Sequence, residues 1–208
     1  LLSHNLGDCI RGIGTLLRAL FLPQEREEKQ VINLLTKASS MVRSEGIGSL
    51  VNIRKYAKYP LLKDGLSLII NNYTSNEIRH NLQNKIDAKQ NKLSLSQNFF
   101  ENMSKLSPGV GMIGTLMGLI EMMANLKDPS QIGSGMALAM ITTFYGLLLG
   151  TVVYGPFSEK IALESEKSQE LDLLILESIV ALKERKSSIH MKDIVNTYAK
   201  AAPTQKSA

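Results

Sequence analysis

The sequence predicts an all-α membrane protein, a two-helix transmembrane hairpin set between helical aqueous segments, and three observations carry that prediction. Charged side chains are nearly absent from residues 108–157 and crowd the segments on either side. The apolar stretch is interrupted once, by the turn-forming run Lys-Asp-Pro-Ser-Gln at 127–131, leaving two pieces each long enough to cross a bilayer. Elsewhere the apolar residues recur at helical rather than alternating spacing, so no sheet is expected. The predicted segments are a helical domain over 1–106, the hairpin over 107–157 with spans 107–126 and 132–157, and a C-terminal helix with a mobile tail over 158–208. Bulk composition alone does not make this distinction, because 208 residues at 44% hydrophobic fit either a soluble or a membrane protein.

Taken in order, Ile10, Ile13, Leu16, Leu17, Leu20 and Phe21 fall on one helical face with Arg11 and Arg18 opposite, and Pro23 ends the run. Periodicity leaves two readings open for this helix: lying on a membrane surface, or packing as a core helix of the aqueous domain. Val31, Leu34, Leu35, Ala38, Met41 and Val42 predict a second helix over 24–45, with Gly46 suited to a left-handed C-cap. A shorter helical pair broken near Pro60 follows. Thr74 and Glu77 form a capping-box pair, which predicts a helix start and a run to Lys105. Pro108 is expected at the beginning of the next helix, where its missing N–H costs nothing.

The first span then reaches about residue 126 with Glu121 as its only charge, and a 19-residue helix covers roughly 28 Å, close to the hydrocarbon thickness. From Ile132 to Phe157 there is no charged side chain at all. Beyond the membrane, Leu171, Leu174, Ile175, Ile179 and Leu182 predict a long helix over 159–184 that packs back on the helices preceding the hairpin. The polar stretch from Ser187 is read as a tail, its last ten residues mobile.

Charge gives the orientation and removes several function classes. Of 24 Lys and Arg, 15 precede Leu106, 8 follow Phe157 and only Lys127 lies in the link, so both flanks should be cytoplasmic and the hairpin tip outside. Glu121, offset towards the tip, is read as a rim carboxylate, cheaper there than at mid-bilayer. The net charge of +5 comes from cations interspersed with 19 acids, without a basic stripe or aromatic platform, so nucleic acid is not an expected partner. One cysteine, Cys9, precludes an internal disulfide framework, and His4, His80 and His190 lack metal-ligand spacing. No metal or cofactor is expected. No nucleophile–base pair or phosphate loop points to an enzyme.

Within the hairpin, Gly111, Thr115 and Gly118 share one face of the first span, and Ala139, Thr143, Gly146 and Gly150 one face of the second. Gly114 and Gly118, like Gly146 and Gly150, have the small-xxx-small spacing that lets helices approach closely. Thr115, Thr142 and Thr143 put hydroxyls into apolar helices, where they can bond their own backbone, a partner helix, or a passing ion or water. If ions cross here, their carboxylate must come from another chain, because Glu121 is the only acid in the spans. Pro156, inside an apparently continuous helix, should kink or loosen it and provide a joint between the membrane segment and the aqueous domain.

The run Ser107-Pro108-Gly109-Val110-Gly111-Met112-Ile113-Gly114-Thr115-Leu116-Met117-Gly118-Leu119, then Asp128-Pro129, Ile132-Gly133, Met136-Ala137 and Thr142-Thr143-Phe144-Tyr145-Gly146, strongly resembles the third and fourth transmembrane helices of the MotA and PomA flagellar stator family. Pro156 and Lys160 complete the pattern, and Met41-Val42-Arg43-Ser44-Glu45-Gly46 is similar to the family's cytoplasmic motif. The resemblance implies a multi-pass subunit of the bacterial inner membrane. It also implies a homo-oligomer, a pentamer around two MotB-type partners whose aspartate carries a proton or sodium ion and whose outer domain binds peptidoglycan. By the same resemblance Thr115 and Thr143, with Thr142 beside them, match the ion path; Pro108 and Pro156 match the prolines of conformational coupling. Arg43 matches a cation facing the rotor protein FliG.

Two departures accompany the resemblance. Eight positions after Arg43, where the family has an acid, this chain has Val51, followed by Arg54, Lys55 and Lys58, so Arg54 and Lys55 join Arg43 as candidate rotor contacts. The family also begins with two transmembrane helices not present here; residues 1–5 resemble the end of the second, and the sequence is expected to be a piece of a longer chain. The alternatives are an ExbB or TolQ-type ion-driven transducer and a membrane scaffold that oligomerises without conducting. Pro156 with Lys160, and the Asp128-Pro129 link, favour the stator reading over the transducer.

Overall fold

The computed structural model describes residues 25–127 and 129–201, and the predicted amphipathic helix over residues 10–21 lies outside them. The described residues are helical, without a strand, in the order α1 (Glu25–Glu45), a 3-10 turn (Ile47–Ser49), α2 (Leu50–Tyr56), α3 (Pro60–Ile70), α4 (Ser75–Ala124), α5 (Pro129–Leu148), a π-helical turn (Leu149–Tyr154), α6 (Gly155–Lys183) and α7 (Ser188–Ala201). They fall into two compact units. One comprises residues 93–163; the other comprises the residues up to Lys92 together with those from Glu164 onward.

The second unit has a conventional hydrophobic core. Leu35, Leu50, Leu62, Leu66, Ile69, Ile78, Leu82, Ile86, Leu171, Ile175 and Ile179 are all essentially inaccessible to solvent. The predicted packing of 159–184 against the helices before the hairpin is found here, as residues 171–182 of α6 lie in one cluster with α3 and the start of α4. Gly65 permits this closeness: a Cβ there would meet Ile179 Cγ1 at 2.8 Å. One acid enters the core. Asp172, fully buried, accepts from the Tyr59 hydroxyl at 2.7 Å on one oxygen and from Lys89 Nζ at 2.7 Å on the other, which supplies the partners a buried carboxylate requires.

Helix ends follow their local chemistry. Gly46 has φ +80 and ψ −176, a positive-φ conformation open to glycine but not the left-handed helical cap the sequence predicts, and it donates its N–H to Val42 O at 3.1 Å where α1 ends. Pro60 opens α3 at its first turn, and Thr74 and Glu77 make the reciprocal capping box, Thr74 N–H to Glu77 Oε2 at 2.9 Å and Glu77 N–H to Thr74 Oγ1 at 3.4 Å. These bonds hold the Glu77 carboxyl below the ordinary glutamate range, the Thr74 backbone N–H contributing most. Asn72 (φ 61) and Arg185 (φ 54) terminate α3 and α6 in the left-handed conformation, and Lys183 Nζ joins the two ends by donating to Asn72 Oδ1 at 2.9 Å.

Three further expectations are corrected in this description. α4 does not stop near Lys105 for a new helix to begin at Pro108; it continues unbroken to Ala124 with Pro108 in its interior. An internal proline deletes a single bond, to the carbonyl four residues back, and the bonds on both sides suffice to hold the helix. The stretch from Ser187 is also not simply a tail, since residues 188–201, including the first three of the ten read as mobile, are helical. Met191, Ile194, Val195 and Tyr198 recur at helical spacing and pack on the core, and burial, with Glu28 and Glu170 nearby, pushes the Tyr198 hydroxyl up to about 12. α5 starts at Pro129 rather than Ile132, using that proline at its first turn.

Candidate functional site

In the unit spanning 93–163, backbone closeness replaces a side-chain core. Down the facing helices of the hairpin, α4 and α5 meet through residues with little or no side chain. A Cβ on Gly118 would lie 2.6 Å from Gly135 O, and one on Gly135 would lie 2.8 Å from Gly118 O. One on Gly114 would fall 2.6 Å from Thr142 Cβ, and Gly111 and Gly146 face each other with the same consequence, 2.8 Å from a Gly146 Cβ to Gly111 Cα. Gly150 continues the seam against Ser104 O at 2.8 Å. Gly135 is a seam residue that the sequence reading passed over; its signal was the Gly135-xxx-Ala139 spacing. Below the seam, Phe100 packs against Phe99 and Phe157, and the Ser158 hydroxyl donates to Gln97 O at 3.3 Å.

The large apolar side chains of the hairpin point away from this seam. Val110, Met112, Ile120 and Met140 are each more than 60% exposed. The helical stretches Ser75–Ala124 and Ile132–Lys183 are long and apolar enough to cross a membrane, and so much contiguous apolar surface is foreign to a water-facing monomer.

Thr115 and Thr143 are brought together across the seam, their hydroxyls in direct hydrogen-bond contact. Thr115 Oγ1 also reaches Gly111 O at 3.1 Å and Ala139 O at 3.4 Å, and Thr143 Oγ1 reaches Ala139 O at 3.1 Å. Two hydroxyl protons and several lone pairs meet here, so the pair retains acceptor capacity for a water or cation. Thr142 is not part of this pair. Its hydroxyl donates within its own helix, to Leu138 O at 2.9 Å or Ala139 O at 3.0 Å, and its Cβ and Oγ1 are the atoms nearest to where a Cβ on Gly114 would be. It lines instead an apolar groove of about 510 Å³ with Val110, Met117, Tyr145 and Leu149. Glu121 is exposed, three residues before the end of α4.

The prolines occupy two different kinds of position. Pro108 sits in mid-helix against Gly150, its Cδ 3.1 Å from where a Gly150 Cβ would be. Pro156 is the second residue of α6, directly after the π turn, so the irregularity expected near it lies in the preceding turn.

In the other unit, Arg43 is exposed in the last turn of α1 and lines a cavity of about 160 Å³ with Arg185 and Lys186. Arg54 and Lys55 are exposed in the last turn of α2, and Val51 on the same short helix is 45% exposed.

Residues 54–172 match the family described as the MotA/TolQ/ExbB proton channel family. Among curated proteins, the chain is 35% identical over 172 residues to Motility protein A of Aquifex aeolicus, covering 82% of this chain and 66% of that one. It is 30% identical over 192 residues to the uncharacterized protein YtxD of Bacillus subtilis, covering 92% of this chain and 71% of that one. The chain thus spans about two thirds of the length of these relatives, at 66% and 71%. In three dimensions it is similar to a chain of the flagellar MotAB stator complex from Bacillus subtilis, with a TM-score of 0.83 at 21% identity over 96% of this chain and 79% of that one.

Proposed function

Because the chain belongs to the MotA/TolQ/ExbB proton channel family, we propose that it is a stator subunit of a flagellar motor, which with a MotB-type partner passes protons or sodium ions and converts their gradient into torque. The Thr115–Thr143 hydroxyl pair, held across an apolar hairpin, is the observation that carries this reading. An ion leaving water needs oxygen ligands or a hydrogen-bonded relay inside the bilayer, and this pair supplies them. The titrating carboxylate comes from the partner's span, since the described hairpin contributes no acid beside the threonines. The driving force is about 2.3 kcal/mol per charge per 100 mV.

The chain acts as a homo-oligomer, a pentamer, in the bacterial inner membrane, with the unit containing α1 to α3 in the cytoplasm. Pro108 and Pro156 take part in conformational coupling, and exposed Arg43, Arg54 and Lys55 meet the rotor protein FliG. Relatives named Motility protein A support a stator over an ExbB or TolQ-type transducer.

The test is ion flux and swimming in cells that carry the full-length subunit and its partner. Thr143→Ala is expected to lower flux or change ion selectivity while leaving the amount of assembled complex unchanged. Unaltered flux and selectivity would overturn the motor reading in favour of a non-conducting scaffold.

A further inference from the structure

The π turn at Leu149–Tyr154 and the proline of the facing helix meet at one place, and a single side chain joins them. In the turn, Gly155 donates its N–H to Gly150 O, a bond five residues long. The Ser104 hydroxyl donates to that same carbonyl at 2.7 Å from the opposite helix. Pro108 has no N–H for the carbonyl of Ser104, four residues before it, and that carbonyl faces the bare Cα of Gly150, 2.8 Å from where a Cβ would be. Any side chain at 150 would push the two irregular stretches apart.

The missing N–H of Pro156 does not by itself decide which register the turn adopts. With five-residue bonds its missing N–H leaves Thr151 O without a donor; with four-residue bonds it leaves Val152 O without one. The proline ring would also crowd the Val152 carbonyl in the four-residue register, which brings the two registers closer in cost. The bond from Ser104 distinguishes them, because it reaches Gly150 O while that carbonyl is turned out of the four-residue pattern. Short π segments are frequent at functional sites, and irregular backbone at membrane depth is tolerated where side-chain hydroxyls satisfy it.

We propose that Ser104 is a positioning residue that holds Leu149–Tyr154 in its π register, making this turn a two-state element of the hairpin whose alternative is a continuous α-helix. A change of register rotates Phe157 and Ser158 relative to Phe100 and Gln97, the contacts that close the hairpin below the seam. The role in torque rests on the stator reading; the latch itself does not.

The experiment uses the full-length subunit with its partner in lipid bilayers, labelled with carbonyl-13C glycine and 15N threonine. With the partner left unlabelled, the Gly-Thr bonds within these 208 residues that give solid-state NMR correlations are Gly14-Thr15, Gly114-Thr115 and Gly150-Thr151. In Ser104→Ala the Gly150 carbonyl signal is expected to move upfield or split while that of Gly114 stays, and Ser104→Thr, which keeps the hydroxyl, is expected to restore it. In tethered-bead recordings the alanine variant should join the motor normally but deliver severalfold less torque per unit, with recovery in the threonine variant. If alanine prevents assembly, Ser104→Cys, similar in size and a far weaker donor, is expected to give the same shift and loss. A Gly150 signal unmoved in the assembled alanine or cysteine variant overturns the latch; a moved signal with unchanged torque retains the latch and overturns its part in coupling.

Discussion

The two units of this chain solve the same packing problem with opposite materials. In the unit built on α1, α2, α3 and α7 with parts of α4 and α6, leucine and isoleucine point inward and charged residues outward, because water is the solvent to be escaped. In the hairpin unit, glycine, alanine and threonine face inward and the large apolar side chains face outward. Lipid is as apolar as leucine, so burying leucine there gains nothing from the hydrophobic effect. What remains is close backbone contact and a few hydroxyl bonds, and these are also the groups an ion can use.

The strongest challenge to that contrast is to fill the seam. Gly118→Leu places a branched side chain where even a Cβ would sit 2.6 Å from Gly135 O, backbone that cannot rotate away. Loss of the assembled complex is expected, read as absence of the oligomer on native gels of membranes extracted in mild detergent; an intact oligomer would mean that the seam is not closed by contact. Next in size is the conventional core, where Leu66→Ala, at a fully buried position, should cost about 2–5 kcal/mol by lost transfer energy and an unfilled cavity. Denaturant titration of the purified assembly, following unfolding of this unit by hydrogen exchange, measures it, and a loss under about 1 kcal/mol would put Leu66 outside a packed core.

Smaller effects sharpen the contrast at the surface of the same unit. Thr74→Ala removes the capping box of α4 and should cost about 1 kcal/mol, seen as faster amide exchange in residues 75–80 with little change elsewhere. Least of all is the Arg79–Glu177 pair, both side chains about half exposed at 49%, so Arg79→Ala should cost less than about 1 kcal/mol and less still in high salt. The hydrogen bonds and charge of Arg79 hold the Glu177 carboxyl below its ordinary 4.5. Its contribution is therefore complete above that value and lost as pH falls through the depressed one, a dependence that Arg79→Ala should flatten in acid denaturation curves.

Much of this was legible in the sequence because it depends on local chemistry. Gly46 ends α1 since it reaches a positive φ without strain, and Thr74 with Glu77 starts α4 since their side chains satisfy free N–H groups three residues apart. The exclusion of charge over 108–157 identifies the hairpin because the cost of a charge in hydrocarbon is a property of the residue and not of the fold. Helix α7 was legible as well, in Met191, Ile194, Val195 and Tyr198, but the polar residues between them masked the pattern.

Other features were not decided by any residue or its neighbours in sequence. That Pro108 lies within a helix depends on bonds made on both sides of it, and that Thr143 rather than Thr142 meets Thr115 depends on the rotation of α5 against α4, which the glycine seam sets. The π turn before Pro156 is likewise a tertiary outcome, held by a serine 46 positions away in the chain. The sequence by itself determined which stretches are helical, where several of them end and which of them avoid water, because propensity, capping and transfer energy act over a few residues. Only the tertiary structure decided which hydroxyl faces which carbonyl, because a rotation of one helix by a single residue exchanges one threonine for the next at no cost to either helix alone.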